Sequence, residues 1–461
     1  MMRTCLHKFG LLGLIPLIFG LISGCESAHI HPSDELGFAR PEQWHPATSD
    51  HTPITPWLES FADSTLSQLV EQGLNQNFDL LATAARVDAA RATAKIAGAN
   101  RLPQFYFAPG YQRSKTAAYP ESGSFDALFT LSWELDVWGR IQAAQQASSE
   151  DATAVLEDYQ AARLSLAARI AQVYFELTEA QLQEQVARQS VKDRGVIVEL
   201  VRGRFNKGLT RGLDLRLTLT DLANAQSQLA QTQNDVQGLQ KQLDSLLGRY
   251  PGQSPNPLSI SRSLPAPPKQ LASGLPAQLI DRRPDVVAAY RRLVASDRRL
   301  ESSQKALLPR FTLTAAGGIS SPALTEIIDP RAAAWNVAAG LAQPLFTGER
   351  LESQIRLSEA NVEEAFHRYQ SVALNAFREV EQALAAENYL REKEQALKEA
   401  VAQTEASRKL AVYSYRQGLI EILTLLDSYR STLYAQSAHL AVQRQLLNNR
   451  ISLYLALGGA V

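Results

Sequence analysis

The residues able to do chemistry are scattered along this chain in patterns that mostly fail to build a reactive site. Four of the seven histidines, His29, His31, His45 and His51, lie near the N-terminus at spacings that fit no compact metal-binding helix or turn. His367 and His439 stand alone in helical stretches. Gly203-Arg204-Phe205-Asn206-Lys207-Gly208 contains glycine and lysine in the wrong order for a phosphate loop. Paired acids such as Glu363-Glu364 read as an exposed helix face, and no Ser/His/Asp grouping stands out. The chain is therefore read as a non-enzyme without a cofactor or metal site. One thiol remains, Cys25.

Cys25 follows Arg3, Lys8, an apolar run from Phe9 to Leu21, and the small pair Ser23-Gly24. A basic start, a short apolar core and small residues before a cut describe a secretory signal too short to span a bilayer. The junction resembles a bacterial lipobox, which implies cleavage before Cys25 and acylation of its thiol. Glu26 follows, where an aspartate would favour retention in the inner membrane, so the expected address is the outer membrane, with Cys25 anchoring the chain in its lipids. The only other cysteine, Cys5, leaves with the signal, so the mature chain has no disulfide.

With 46 basic and 47 acidic residues and a formal charge of −1, nothing here attracts nucleic acid. After the signal, no apolar run approaches the roughly 20 residues of a spanning helix. Further membrane contact must come from strands, and four stretches alternate as strands do. In residues 125–137, Phe125, Ala127, Phe129, Leu131, Trp133, Leu135 and Val137 share one face, while Asp126, Thr130, Ser132, Glu134 and Asp136 share the other. Residues 104–112 and 311–320 and the segment around Trp335, Val337 and Leu341 behave similarly. A soluble sandwich shows the same alternation. If lipid faces these strands, four cannot close a barrel, since the smallest need about eight, and an open edge in lipid leaves backbone groups unsatisfied. Such a chain must oligomerise. A homotrimer would supply 12 strands, although closure alone does not select three. The turn-rich segments Tyr119 to Ser124 and Ser321 to Pro330 are expected as extracellular loops.

The remaining sequence is helix of unusual length. Residues 140–207 lack proline, which predicts a helix on the order of 100 Å long. It should reverse at Gly208-Leu209-Thr210-Arg211-Gly212, where glycine admits the left-handed conformation that ends helices. In the return helix, Leu215, Leu222, Leu229, Val236 and Leu243 form one heptad line, with Leu219, Gln226, Gln233, Gln240 and Leu247 expected as the second. Residues 66–99 should stack on its end. The whole pattern occurs twice, about 210 residues apart. Leu102-Pro103 recurs as Leu308-Pro309, Gly139-Arg140 as Gly348-Glu349-Arg350, and Lys207-Gly208-Leu209 as Gln417-Gly418-Leu419. In the second copy, residues 285–307, 350–417 and 421–457 are the expected helices, with Leu426, Leu433, Leu440, Leu447 and Tyr454 spaced by seven. Eight prolines between Pro251 and Pro284 separate the copies and should wrap the helices as a belt. The expected division is 1–24 signal, 25–60 tether, 61–248 first repeat, 249–284 linker and 285–461 second repeat.

Leu279-Ile280-Asp281-Arg282-Arg283-Pro284-Asp285-Val286 resembles the Arg-Arg-Pro-Asp-Val signature of the TolC-like outer-membrane efflux family, in the lipoprotein branch serving resistance–nodulation–division pumps. Trp133 to Arg140, Gln343 to Gly348 and Tyr415 to Asp427 resemble that branch's two strand-to-helix junctions and its helical tip. The resemblance implies a mainly α protein with a β-barrel portion. Three duplicated strand-strand-long-helix protomers would form a trimeric 12-stranded outer-membrane barrel continuous with a periplasmic α-helical tunnel. It implies a passive conduit for small molecules, docked on a periplasmic adaptor and an inner-membrane pump. Carried over by residue, Leu423 would supply an apolar ring and Asp427 an acidic ring at the channel aperture. Thr424 stands where some members carry a second acid. Gly208, Leu209, Thr210, Gly418, Leu419 and Ile420 would form the tip that meets the adaptor. A coiled-coil structural lipoprotein and an exit duct for type I protein secretion stay open as alternatives.

Overall fold

The computed structural model describes residues 30–38, 44, 57–116, 119–252, 263–267, 279–326 and 328–459. The signal, Cys25 and most of the tether and linker lie outside these. The elements, in chain order, are α1 (Ser64–Gln76), α2 (Phe78–Ala99), β1 (Gln104–Thr116), β2 (Tyr119–Leu135), α3 (Arg140–Asn206), α4 (Gly212–Leu246), a single turn α5 (Leu279–Arg282), α6 (Pro284–Lys305), β3 (Arg310–Ser321), β4 (Ala333–Ala342), α7 (Arg350–Arg416) and α8 (Ile422–Ala456). The two long helices α3 and α7 have 67 residues each, and the two return helices α4 and α8 have 35 each.

Contacts divide the chain into two units. The sheet unit holds residues 93–151 and 292–366 with the described residues up to Glu35. Its four strands lie in the order β1-β2-β3-β4, every pair antiparallel. The register aligns Phe107 with Phe129 and Tyr111 with Phe125, then Phe129 with Gly317 and Gly317 with Trp335. One face is therefore apolar from edge to edge, with rings 5.1 Å apart at Phe107–Phe129 and 4.5 Å at Tyr111–Phe125. It is bare on the two outer strands, where Phe105, Phe107 and Val337 are exposed and Trp335 is 82% exposed, and half-buried on β3. The opposite face carries Asp126, whose Oδ1 accepts from the hydroxyls of Ser124 at 2.8 Å and Ser320 at 2.6 Å. The segment Tyr119 to Ser124, expected as a loop, instead begins β2, where Gln112 pairs with Ser124 and Thr116 with Tyr119. A register shift between Ser114 and Thr116 admits Pro120, which has no N–H to give the ladder.

The helical unit holds residues 36–92, 152–291 and 367–461. Its core joins Leu66, Leu69 and Val70 of α1, Leu164 to Leu177 of α3, Val236 and Leu243 of α4, and Leu447, Ile451 and Tyr454 of α8. Trp57, inside the expected tether, and Phe61, at the start of the expected first repeat, belong to this core, with Trp57 stacked on Tyr454 at 5.9 Å. Fully burying one such side chain is worth about 1.5–3 kcal/mol, which fixes this end of the segment. Leu264, from the proline-rich linker, packs into the same cluster.

Two expectations need correction here. Residues 66–99 are two helices, because Asn77 leaves the helical conformation at φ −67°, ψ 122°. Its Oδ1 accepts from Leu80 N at 3.0 Å, capping α2, while its Nδ2 donates to Leu246 O at 3.0 Å. The seam of α4 runs through Thr218, Ala225, Thr232 and Leu239 beside Leu222, Leu229, Val236 and Leu243, whereas Gln226 is exposed. Over Thr218, Ala225 and Thr232 the buried line thus sits one residue earlier than the expected one. Of the expected line, Gln226 is exposed and Leu219, Gln233 and Gln240 are half-buried, while Leu247 is buried in the core as expected.

Candidate functional site: the helix reversals

Both long helices end in the same backbone device. Gly208 (φ +70°) and Gly418 (φ +75°) take the left-handed conformation. Leu209 N donates to Arg204 O at 2.9 Å and Gly208 N to Phe205 O at 2.9 Å. Leu419 N and Gly418 N repeat this to Ser414 O at 2.9 Å and Tyr415 O at 3.0 Å. These paired bonds close a helix end whose next residue can point outward. Leu209 and Leu419 are accordingly exposed, as are Gly208 and Gly418, while Thr210 and Ile420 are half-buried. Thr210 Oγ1 donates to Asp214 Oδ2 at 2.5 Å, which also accepts from Arg211 N at 3.3 Å, so the first turn of α4 is capped from its own loop.

Behind the reversals lies a small core of Ile197, Val201, Tyr415, Ile422, Leu425 and Leu426. Arg204 of α3 sits over the Tyr415 ring of α7, 5.3 Å from its centre, and Nη1 reaches the Tyr415 carbonyl at 3.4 Å. Burial pushes the Tyr415 phenol above its ordinary range, against the opposing pull of Arg204. Arg408 repeats the arrangement over Tyr429 at 5.3 Å and pairs with Asp193 at 3.0 Å.

Leu423 and Asp427 stand one helical turn apart on α8, and both are exposed, with Thr424 beside them. Their neighbours Ile422, Leu425 and Leu426 face the core. Asp427 therefore belongs to a solvent-facing stripe, not to the packing of the protomer.

The sequence reading missed an ion cluster deeper in the same unit. Asp221 of α4 accepts from Arg194 Nε at 2.6 Å and from Arg430 Nε at 3.3 Å, joining α3, α4 and α8. Arg194 also donates to Ser190. Only the breaks that Thr218, Asp221 and Ala225 make in a leucine-rich pattern could have flagged it. Among the described residues no group of three His, Cys, Asp or Glu side chains could hold a metal. No described helix is long and apolar enough to cross a membrane.

Comparison with known proteins agrees with this architecture. The family model for outer membrane efflux proteins matches residues 69–249 and 275–459. The pyoverdine export outer membrane protein OpmQ of Pseudomonas putida is 32% identical over 461 residues, covering 97% of this chain and 96% of that protein. The outer membrane protein OprJ of Pseudomonas aeruginosa is 31% identical over 422 residues, covering 87% and 86%. The solved structure of the outer-membrane channel OprN superposes with a TM-score of 0.84 at 27% identity, over 94% of this chain and 97% of that one. The chain belongs to the outer membrane efflux protein family.

Proposed function

We propose that three copies of this chain close one 12-stranded barrel and act as the passive outer-membrane duct of a tripartite efflux system for small molecules. The observation that supports this reading is the sheet itself: one face apolar across all four strands, exposed at Phe105, Phe107, Phe129, Trp335, Val337 and Leu341, with β1 and β4 as the edges among the described strands. An exposed apolar face of this extent calls for lipid, and edges in lipid call for further strands. Within the reading, Cys25 carries acyl chains into the same membrane. The exposed Leu209 and Leu419 at the two reversals, with Gly208, Thr210, Gly418 and Ile420, meet a periplasmic adaptor bound to an inner-membrane resistance–nodulation–division pump. Leu423 narrows the far aperture, and three copies of Asp427 form an acidic ring that favours cations. The chain performs no chemistry of its own, so the energy comes from the pump. The expected division into signal 1–24, tether 25–60, repeats 61–248 and 285–461, and linker 249–284 belongs to this reading.

Cysteines at Ala108 on β1 and Ala338 on β4 test the closure. Oxidation in outer-membrane fractions should join each chain to two others and yield covalent trimers. Monomers only, from a protein present in that membrane, would refute edge-to-edge closure.

A further inference from the structure

The sheet unit contains a cavity of about 350 Å³ under the base of β2. It is bounded by the turn Val137 to Gly139 and by Asp136, Gln142, Gln146, Arg298, Glu301 and Lys305. Nothing in the conduit reading uses it. We infer that it holds the headgroup of an amine-bearing zwitterionic phospholipid, one phosphate and one primary ammonium together. The inference rests on the reading that the apolar sheet face meets lipid.

Depth comes first. Two tryptophans mark this level of the strand: Trp133 Nε1 donates to Arg101 O at 2.9 Å and Trp138 Nε1 to Pro309 O at 2.8 Å. Tryptophans with a polar anchor at strand ends mark the headgroup layer of a bilayer. Part of the wall comes from α3. Arg140 turns toward the polar face of the sheet, reaching Glu134 at 2.8 Å. Gln142 lies about 200° further round the helix and lines the cavity together with Val137, which is exposed. The cavity wall therefore includes the exposed end of the apolar face at Val137 as well as Asp136.

The charges then select the ligand. Glu301 takes Lys305 Nζ at 2.5 Å and Arg298 Nη1 at 2.9 Å, one on each oxygen. Burial alone would raise the Glu301 carboxyl, but these two cations hold it below the ordinary carboxylate range. An ammonium has three donors and a guanidinium five, so both cations keep donors for a phosphate beyond those Glu301 takes. Asp136 caps α3, accepting from Ile141 N at 2.9 Å and Gln142 N at 2.7 Å, and with the amide oxygens of Gln142 and Gln146 offers acceptors. Two cations balance two carboxylates. A purely anionic headgroup meets as much repulsion as attraction, and a quaternary ammonium has no N–H for the acceptors. A phosphate next to a primary ammonium satisfies both sets.

The test uses full-length trimers, stripped of lipid and incubated in mixed micelles with phosphatidylethanolamine, phosphatidylcholine or phosphatidylglycerol, followed by native mass spectrometry. Phosphatidylethanolamine should be retained at least about fivefold over the other two, with up to three molecules per trimer. Inorganic phosphate should leave it bound. Lys305→Gln should abolish the preference. Gln142→Leu, which leaves every ion pair intact, should weaken it without changing the melting temperature. Equal retention of the three lipids, displacement by phosphate alone, or wild-type retention by both variants would overturn the inference. Planar-bilayer recordings on the same trimers read the conduit separately. Conducting trimers with no lipid preference sink this inference alone.

Discussion

Arg194 of α3 and Asp221 of α4 form an ion pair at 2.6 Å with both side chains 5% exposed. Removing one partner of a buried pair strands the other charge, at a cost of about 3–5 kcal/mol. Asp221→Ala should therefore lower the denaturant midpoint of the helical signal strongly and release Arg430 as well. The double change Arg194→Leu with Asp221→Leu should recover much of the loss, because a packed apolar pair has no stranded charge. If the double variant is no more stable than Asp221→Ala, the ion pair is not the source of the effect.

Gly318 tests the sheet. It pairs with Leu128 of β2 and Ala334 of β4, and a Cβ built there would meet Ala127 O at 2.1 Å and Leu128 Cα at 2.9 Å. Backbone cannot yield as a flexible side chain does, so Gly318→Val should part β2 from β3. The expected outcome is loss of heat-modifiable trimers from outer-membrane fractions. Gly317→Val, with open space around its Cβ, should leave them intact. Equal behaviour of the two variants would contradict this register.

Tyr174 supplies a pH dependence. Its hydroxyl donates to Asp63 Oδ2 at 2.8 Å, the carboxylate whose Oδ1 caps α1 by accepting from Thr65 and Leu66 N–H. Burial, then the bond and charge of Asp63, raise the phenol well above its ordinary value near 10. A raised folded value means the neutral form is favoured by folding. The resulting stability is complete below about pH 10, where an unfolded tyrosine titrates, and is lost as pH climbs from there toward the folded value. Melting curves between pH 8 and 11 (about the accessible range) should show this loss in the wild type. Tyr174→Phe should flatten it while lowering stability at pH 8 by about 1–3 kcal/mol, since Asp63 loses a donor. An unchanged slope in Tyr174→Phe would assign the alkaline loss elsewhere.

Asp427 should govern ion preference and not folding. Its side chain is exposed on α8, so Asp427→Ala should change stability by less than about 0.5 kcal/mol. Reversal potentials in a salt gradient should move toward zero as the acidic ring is removed. An unaltered cation preference would take Asp427 out of the aperture.

Much of this fold was legible because it is built from long regular signals. Absence of proline bounded α3 and α7 within about a residue, and Gly208 and Gly418 marked both reversals. Period-two alternation assigned the apolar faces of all four strands. What stayed hidden depended on tertiary partners. Asn77 breaks a helix because Leu246 offers a carbonyl 169 positions away. Residues near Pro120 look like a loop, yet β1 provides a ladder with a bulge at that point. In α4 the buried Thr218, Ala225 and Thr232 are small side chains that a leucine-spaced heptad pattern passes over. At the site, exposure of Leu423 and Asp427 could be anticipated, but the arginines of the Arg194–Asp221–Arg430 cluster could not, since only the pattern break around Asp221 hints at it and nothing local distinguishes a buried arginine from the many solvated ones.

The central claim is that each polypeptide carries four strands of a wall that only identical neighbours complete. Purified full-length protein, reconstituted in planar bilayers after its mass is measured in detergent, tests this most directly. The expected result is a trimer that inserts and gives discrete, cation-preferring conductance steps. A monomer that stays in aqueous solution once the acyl anchor is removed, and that never conducts, would contradict it.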